Sequence, residues 1–212
     1  MKKKLPYRLI VFIAILFFIL PGSLNGQIKR ESTLNLRYNV AFPWGSFRDF
    51  ISTTSGRSVH GSILYGITDN WAAGITAGFT SFYEKKTRRV YQNDDGSDIS
   101  AVVSNSVETF PFMLKGKYNF RPGNKIQPFA AIGAGINLIS LEQFAGEFTN
   151  ISQTDIGFAA NPEIGVFIPL NKWNEFGIHV AVSYYFLPYN DFGIDNFNYG
   201  TAGIGINIPL RR

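Results

Sequence analysis

From residue 31 onward, apolar residues alternate with polar or small ones at period two in eight separate stretches, and none shows helical periodicity with caps. The stretches are 34–42, 59–67, 71–83, 106–118, 126–139, 156–170, 176–186 and 198–210. In the first, Leu34, Leu36, Tyr38, Val40 and Phe42 alternate with Asn35, Arg37, Asn39 and Ala41. In the seventh, Phe176, Ile178, Val180, Val182 and Tyr184 alternate with Gly177, His179, Ala181 and Ser183. Successive side chains of a strand point to opposite faces, so each stretch predicts a strand with one apolar side. Residues 126–141 hold no charge, but Pro128, Gly133 and Gly135 interrupt them. They also fall short of the roughly 20 apolar residues of a membrane-spanning helix, which leaves a strand.

The connections decide the architecture. Those at 68–70, 119–125 and 171–174 are short, whereas those at 43–57, 84–105, 140–155 and 187–196 are long. Tight turns on one rim and long loops on the other are the pattern of an outer-membrane barrel. Charges avoid 70–83, 126–141 and 196–210 and gather in loops, as in Glu84-Lys85-Lys86-Thr87-Arg88-Arg89. Aromatic residues fall where strands meet turns. Trp71, Tyr118, Phe120 and Trp173 lie by the short turns, as a periplasmic-side girdle would. Phe42, Trp44, Tyr83, Phe110, Tyr184 and Phe186 lie by the long loops. A water-soluble calycin-type barrel would turn its larger apolar face inward and a charged face outward. Here the second face is Gly, Ala, Ser, Thr and Asn, small enough to line a narrow lumen. The predicted fold is therefore all-β, an eight-stranded antiparallel up-and-down transmembrane β-barrel over 27–212, preceded by a cleavable signal peptide at 1–26.

That leader changes how the charge is read. Residues 2–8 are basic, Leu9 to Leu20 is an unbroken apolar run, and Pro21-Gly22 ends it, as in a secretory signal peptide. The run of 12 residues is too short to span a bilayer as a helix. Lys2, Lys3, Lys4 and Arg8 supply four of the five net positive charges, and no acid precedes Glu31. The exported chain is nearly neutral, which removes the nucleic-acid reading invited by a pI near 9.4. With no cysteine there is no disulfide framework and no thiolate chemistry. No cofactor and no metal site is expected, since the two histidines fall on distant strands.

Strand parity then names the inward polar set: Asn35, Arg37, Asn39, His60, Ser62, Thr76, Lys115, Asn137, Asn161, Glu163, His179, Ser183 and Asn207. Side chains just fill the interior of an eight-stranded barrel. Arg37 and Glu163 both fall at mid-height, where an ion pair, shared with Lys115, would satisfy charges that a poorly hydrated lumen cannot leave single. His179, Ser183 and Glu163 could be read as a hydrolase set, and folding about the turn near 172–173 puts Ser183 closer to Glu163. His179 and Ser183, however, stand two same-face steps apart, about 13 Å, too far for a nucleophile and its base. The Asp94-Asp95-Gly96-Ser97-Asp98 run lacks the spacing of a calcium loop. Lys85, Lys86, Arg88 and Arg89 would face lipopolysaccharide phosphates if the long loops are extracellular.

The whole pattern resembles the outer-membrane β-barrel domain family, the small OmpA-transmembrane-like and PorT-like porin family proteins of Bacteroidetes. Its local marks are Pro43-Trp44-Gly45-Ser46-Phe47, Leu64-Tyr65-Gly66-Ile67-Thr68-Asp69-Asn70-Trp71 across the first short turn, and Pro128-Phe129-Ala130-Ala131-Ile132-Gly133-Ala134-Gly135. The resemblance implies a bacterial outer-membrane location with periplasmic termini and contact with outer-membrane lipids. The expected role is non-enzymatic, structural or interactive, with the long loops as contact surface for a protein partner. The alternatives are a narrow channel for small solutes, a subunit of a secretion or gliding apparatus, and an enzyme acting on lipid A.

Overall fold

Strands that each carry one apolar face cannot satisfy their backbone edges in lipid unless the sheet closes on itself. The computed structural model, which describes residues 31–92, 98–145, 148–170, 176–191 and 194–210, shows that closure. The expected signal peptide, the turn at 171–174 with Trp173, and residues 94–97 of the acidic run lie outside the described residues. The elements are β1 (Ser32–Pro43), α1 (Ser46–Phe50), β2 (Ser55–Gly66), β3 (Trp71–Lys85), β4 (Arg89–Gln92), β5 (Asp98–Ala101), β6 (Val103–Asn119), β7 (Gln127–Ala145), β8 (Phe148–Pro169), β9 (Gly177–Tyr185), β10 (Pro188–Asp191), β11 (Ile194–Asn196) and β12 (Tyr199–Leu210). Eight of them form the barrel in the order β1-β12-β9-β8-β7-β6-β3-β2, each antiparallel to its neighbours. Closure is made by β1 on β12, with Ser32 opposite Leu210 and Pro43 opposite Tyr199.

The apolar face points outward. Leu114 (71% exposed), Ile132, Ile136, Ile164, Val180 and Ile204 are exposed on the outer wall, and Asn35, Arg37, Asn137, Asn161 and Glu163 are buried inside. Trp71, Tyr118 and Phe120 stack in a row at the short-turn end, with ring centres 4.9 and 5.1 Å apart. Trp44 and Tyr184 meet edge-on at the loop end.

The loop end departs from expectation. Residues 140–155, expected as a long loop, are mostly ladder: Ser140 pairs with Thr154 and Gln143 with Ile151. Backbone pairing needs no unbroken apolar face, so the ladder continues past Leu141, still buried in the lumen, where the apolar alternation weakens. Short hairpins, β4 with β5 and β10 with β11, lie within two of the other expected loops. In the connection at 43–57, α1 folds back over the barrel mouth, entered through Gly45 at φ 64°, a left-handed conformation that favours glycine. This buries Phe47 completely, against Phe82 and Phe197.

The loop-end half of the lumen is consequently an apolar core. Phe47, Ile51, Phe82, Val107, Ile139, Leu141, Tyr185, Leu187, Phe197 and Tyr199 are all buried in it. Tyr185 and Tyr199 stack at 4.6 Å across neighbouring strands. The barrel thus has a greasy outside, a greasy cap and a polar middle.

Candidate functional site

The polar middle is built around Glu163 on β8. Lys115 on β6 donates to both of its carboxylate oxygens, at 3.0 and 2.9 Å. Arg37 Nη1 lies 2.9 Å from Oε2. These strands are not neighbours. Lys115 reaches Glu163 over β7, where the facing residues are Gly133 and Ala131. Arg37 reaches it past β12 and β9, where Gly205 stands opposite Arg37 and Ser183 opposite Glu163. Small residues on the intervening strands leave the space in which the three charges meet. Arg37 Nη2 also donates to Ser183 Oγ at 3.4 Å, and Ser183 shares a 2.7 Å hydrogen bond with Thr201.

Glu163 sits beside a break in the wall. Between the Glu163–Ser183 pair and the Ala160–Phe186 bridge, Pro162 has no N–H to offer β9. The side chain of Asn161 donates to the Tyr184 carbonyl instead, at 3.1 Å. A lumen-facing amide thereby substitutes for the missing ladder bond and keeps the carboxylate in register.

Both imidazoles are seated on glycine. An ideal Cβ at Gly78 would lie 1.6 Å from His60 Cδ2, and one at Gly205 would lie 2.6 Å from His179 Cε1. His60 cannot retreat, because it stacks on Tyr185 at 5.1 Å and accepts from Asn39 Nδ2 at 2.9 Å. Gly78→Ala is therefore expected to cost about 1–3 kcal/mol of folding stability through overpacking. Adding His60→Ala should recover part of that loss in urea titrations of the detergent-folded protein. A Gly78→Ala variant as stable as the wild type would show that the ring moves freely.

All thirteen residues of the parity-derived polar set are buried. Arg37, Lys115 and Glu163 are brought together, with Ser183 attached through Arg37. His179 stands apart from Ser183, opposite Phe167 on β8 and Gly205 on β12. The Ser183 hydroxyl lies against Thr201 and Arg37, and both carboxylate oxygens of Glu163 face cations, so among the described residues these three do not form a nucleophile–base pair. Lys85, the last residue of β3, and Arg88 beyond it are exposed, and Lys86 lies over Phe50, while the side chain of Arg89 lies outside what the structure describes.

Sequence reasoning missed Lys117 as a lumen residue. It lies one same-face step below Lys115, with Nζ 4.3 Å from the Phe129 ring centre and 5.8 Å from that of Phe167. Its parity was the available signal. The space left in the lumen is small. A cavity of about 20 Å³, lined by Asn35, Arg37, His60, Ser62, Thr76, Lys115, Lys117, Glu163 and His179, has room for about one water-sized occupant. Below it, an open vestibule of about 440 Å³ leads out past Lys117 to the short-turn rim.

A closed eight-stranded antiparallel wall, apolar outside and polar within, defines a β-barrel of the outer-membrane type. A solved structure with a TM-score above 0.5 supports that fold. Neisserial surface protein A is 10% identical, with 84% of this chain and 95% of that one covered, at a TM-score of 0.52. The N-terminal β-barrel domain of Pseudomonas aeruginosa OprF is 12% identical, covering 84% of this chain and 97% of that one, at 0.46. Ail, the attachment invasion locus protein of Yersinia pestis, is 11% identical, covering 85% and 100%, also at 0.46. No protein-family model and no curated protein matches the sequence.

Proposed function

We propose that this chain is an integral protein of a bacterial outer membrane, with short turns and termini in the periplasm, serving a non-enzymatic structural or interaction role through its loop end. The observation that carries this reading is a lumen closed twice. The Arg37–Glu163–Lys115 cluster fills the middle, and the core around Phe47, Phe82, Tyr185 and Tyr199 fills the loop end. What remains for contact is the apolar wall, suited to lipid, and the loop crown. On that crown the cations of Lys85, Lys86 and Arg88 suit the phosphates of lipopolysaccharide. The marks shared with PorT-like barrels support a larger envelope complex as the loops' protein partner.

A narrow channel would need both closures to open at once. The protein reconstituted in planar bilayers is expected to give no conductance above that of bare lipid. A steady current through the wild-type barrel would replace this reading with the channel.

A further inference from the structure

Charge in the lumen does not balance. Three cations, Arg37, Lys115 and Lys117, face the interior, and among the described residues Glu163 is the only carboxylate in ion-pair contact with any of them. Glu163 is matched by Arg37 and Lys115 alone, which leaves one excess positive charge at that cluster and a second at Lys117. Lys117, half-buried where the cavity meets the open vestibule, has the faces of Phe129 and Phe167 for company and, among the described residues, no carboxylate partner. Uncompensated charge inside a low-dielectric wall is costly, and aromatic faces offset only part of it.

Unused hydrogen-bond donors line the same small cavity. Arg37 Nε and Asn35 Nδ2 are buried without a partner, in residues that are 5% and 9% exposed. His60 joins them. Its Nδ1 accepts from Asn39, so its ring proton is on Nε2, and that N–H is also buried without a partner. Groups of this kind are almost always satisfied in folded proteins, by protein, water or an ion. Arg37 Nε and Asn35 Nδ2 can only donate and His60 Nε2 donates with them, with cations behind them, while the ring nitrogen His179 Nδ1, also buried without a hydrogen bond, lines the same cavity.

We propose that the cavity is a binding site for a single monatomic anion of the halide class, chloride in a physiological setting. A cavity of about 20 Å³ has room for a single small ion of this kind. Arg37 Nε, Asn35 Nδ2 and His60 Nε2 supply the N–H donors, and Lys115 and Lys117 supply the countercharge. Leu64 and Lys117 line both this cavity and the vestibule, so the ion enters from the short-turn end past Lys117. The anion completes the ion cluster, making the polar middle of the barrel a salt-dependent structural centre.

The test uses bromide as probe. Crystals of the protein grown in sodium bromide, with data collected at the bromine edge, should show an anomalous peak in the lumen in contact with Arg37 and Asn35. In detergent micelles the thermal midpoint should rise by several degrees with bromide but not with gluconate at equal ionic strength, because gluconate cannot enter. Lys117→Met should abolish the bromide-specific rise and Lys117→Arg should retain it. Density at the site without anomalous signal, together with identical midpoints in bromide and gluconate, would overturn the proposal and leave ordered water as the occupant.

Discussion

Replacing Glu163 with Gln should destabilise the folded barrel by about 3–5 kcal/mol, the cost of stranding buried charges whose partner has gone. Among the described residues the carboxylate is the only negative group in ion-pair contact with Arg37 and Lys115, and both are nearly inaccessible to water. The amide keeps the shape of the side chain, so packing against Ala131 and Ser183 is preserved and the loss reports charge. Removing a cation should cost less. In Lys115→Met, Arg37 still pairs with Glu163, and the methionine fills the volume over Gly133. The measurement is the urea dependence of folding in detergent micelles or lipid vesicles, in gluconate so that a halide cannot enter and compensate. A Glu163→Gln variant within about 1 kcal/mol of the wild type, the range of an exposed pair, would mean that the cluster is effectively solvated.

Leu114→Arg is expected to cost about 2–4 kcal/mol in a bilayer, the penalty for a cation on the lipid face near the midplane. Leu114 lies midway between Phe110 and Tyr118, which mark the two aromatic rows on β6, and its side chain points into the surroundings. The same substitution at Tyr83, exposed near the loop end of β3, should cost only about 0–1 kcal/mol, as near an interface. The contrast is to be read from folding equilibria in phospholipid vesicles. Equal costs at the two positions, or no cost at Leu114, would mean that lipid does not cover this wall.

Several features of the cluster were readable from local pattern. Parity on β1, β6 and β8 puts Arg37, Lys115 and Glu163 inside, and folding about the turn after β8 sets Glu163 close to Ser183, which the register shows directly opposite. Lys117 shares the parity of Lys115, yet its place over Phe129 and Phe167 depends on two other strands. The cap of the lumen was less accessible still. Phe47 lies in a segment read as loop, and only the turn at Gly45 and the fold of α1 bring it onto Phe82 and Phe197. The extended β7–β8 hairpin escaped for a different reason: past Leu141 the apolar alternation weakens while the backbone ladder continues.

By itself the sequence determined the number of barrel strands, which face of each is apolar, and which rim carries the tight turns. These are one-dimensional properties, set by a side-chain period of two and by the lengths between strands. Only the tertiary structure decided that Arg37 and Lys115 meet at one carboxylate and that Tyr185 and Tyr199 seal the loop end. The Arg37 and Lys115 contacts cross the lumen between strands that are not neighbours. They depend on how far the sheet is sheared when it closes, a quantity that no single strand encodes.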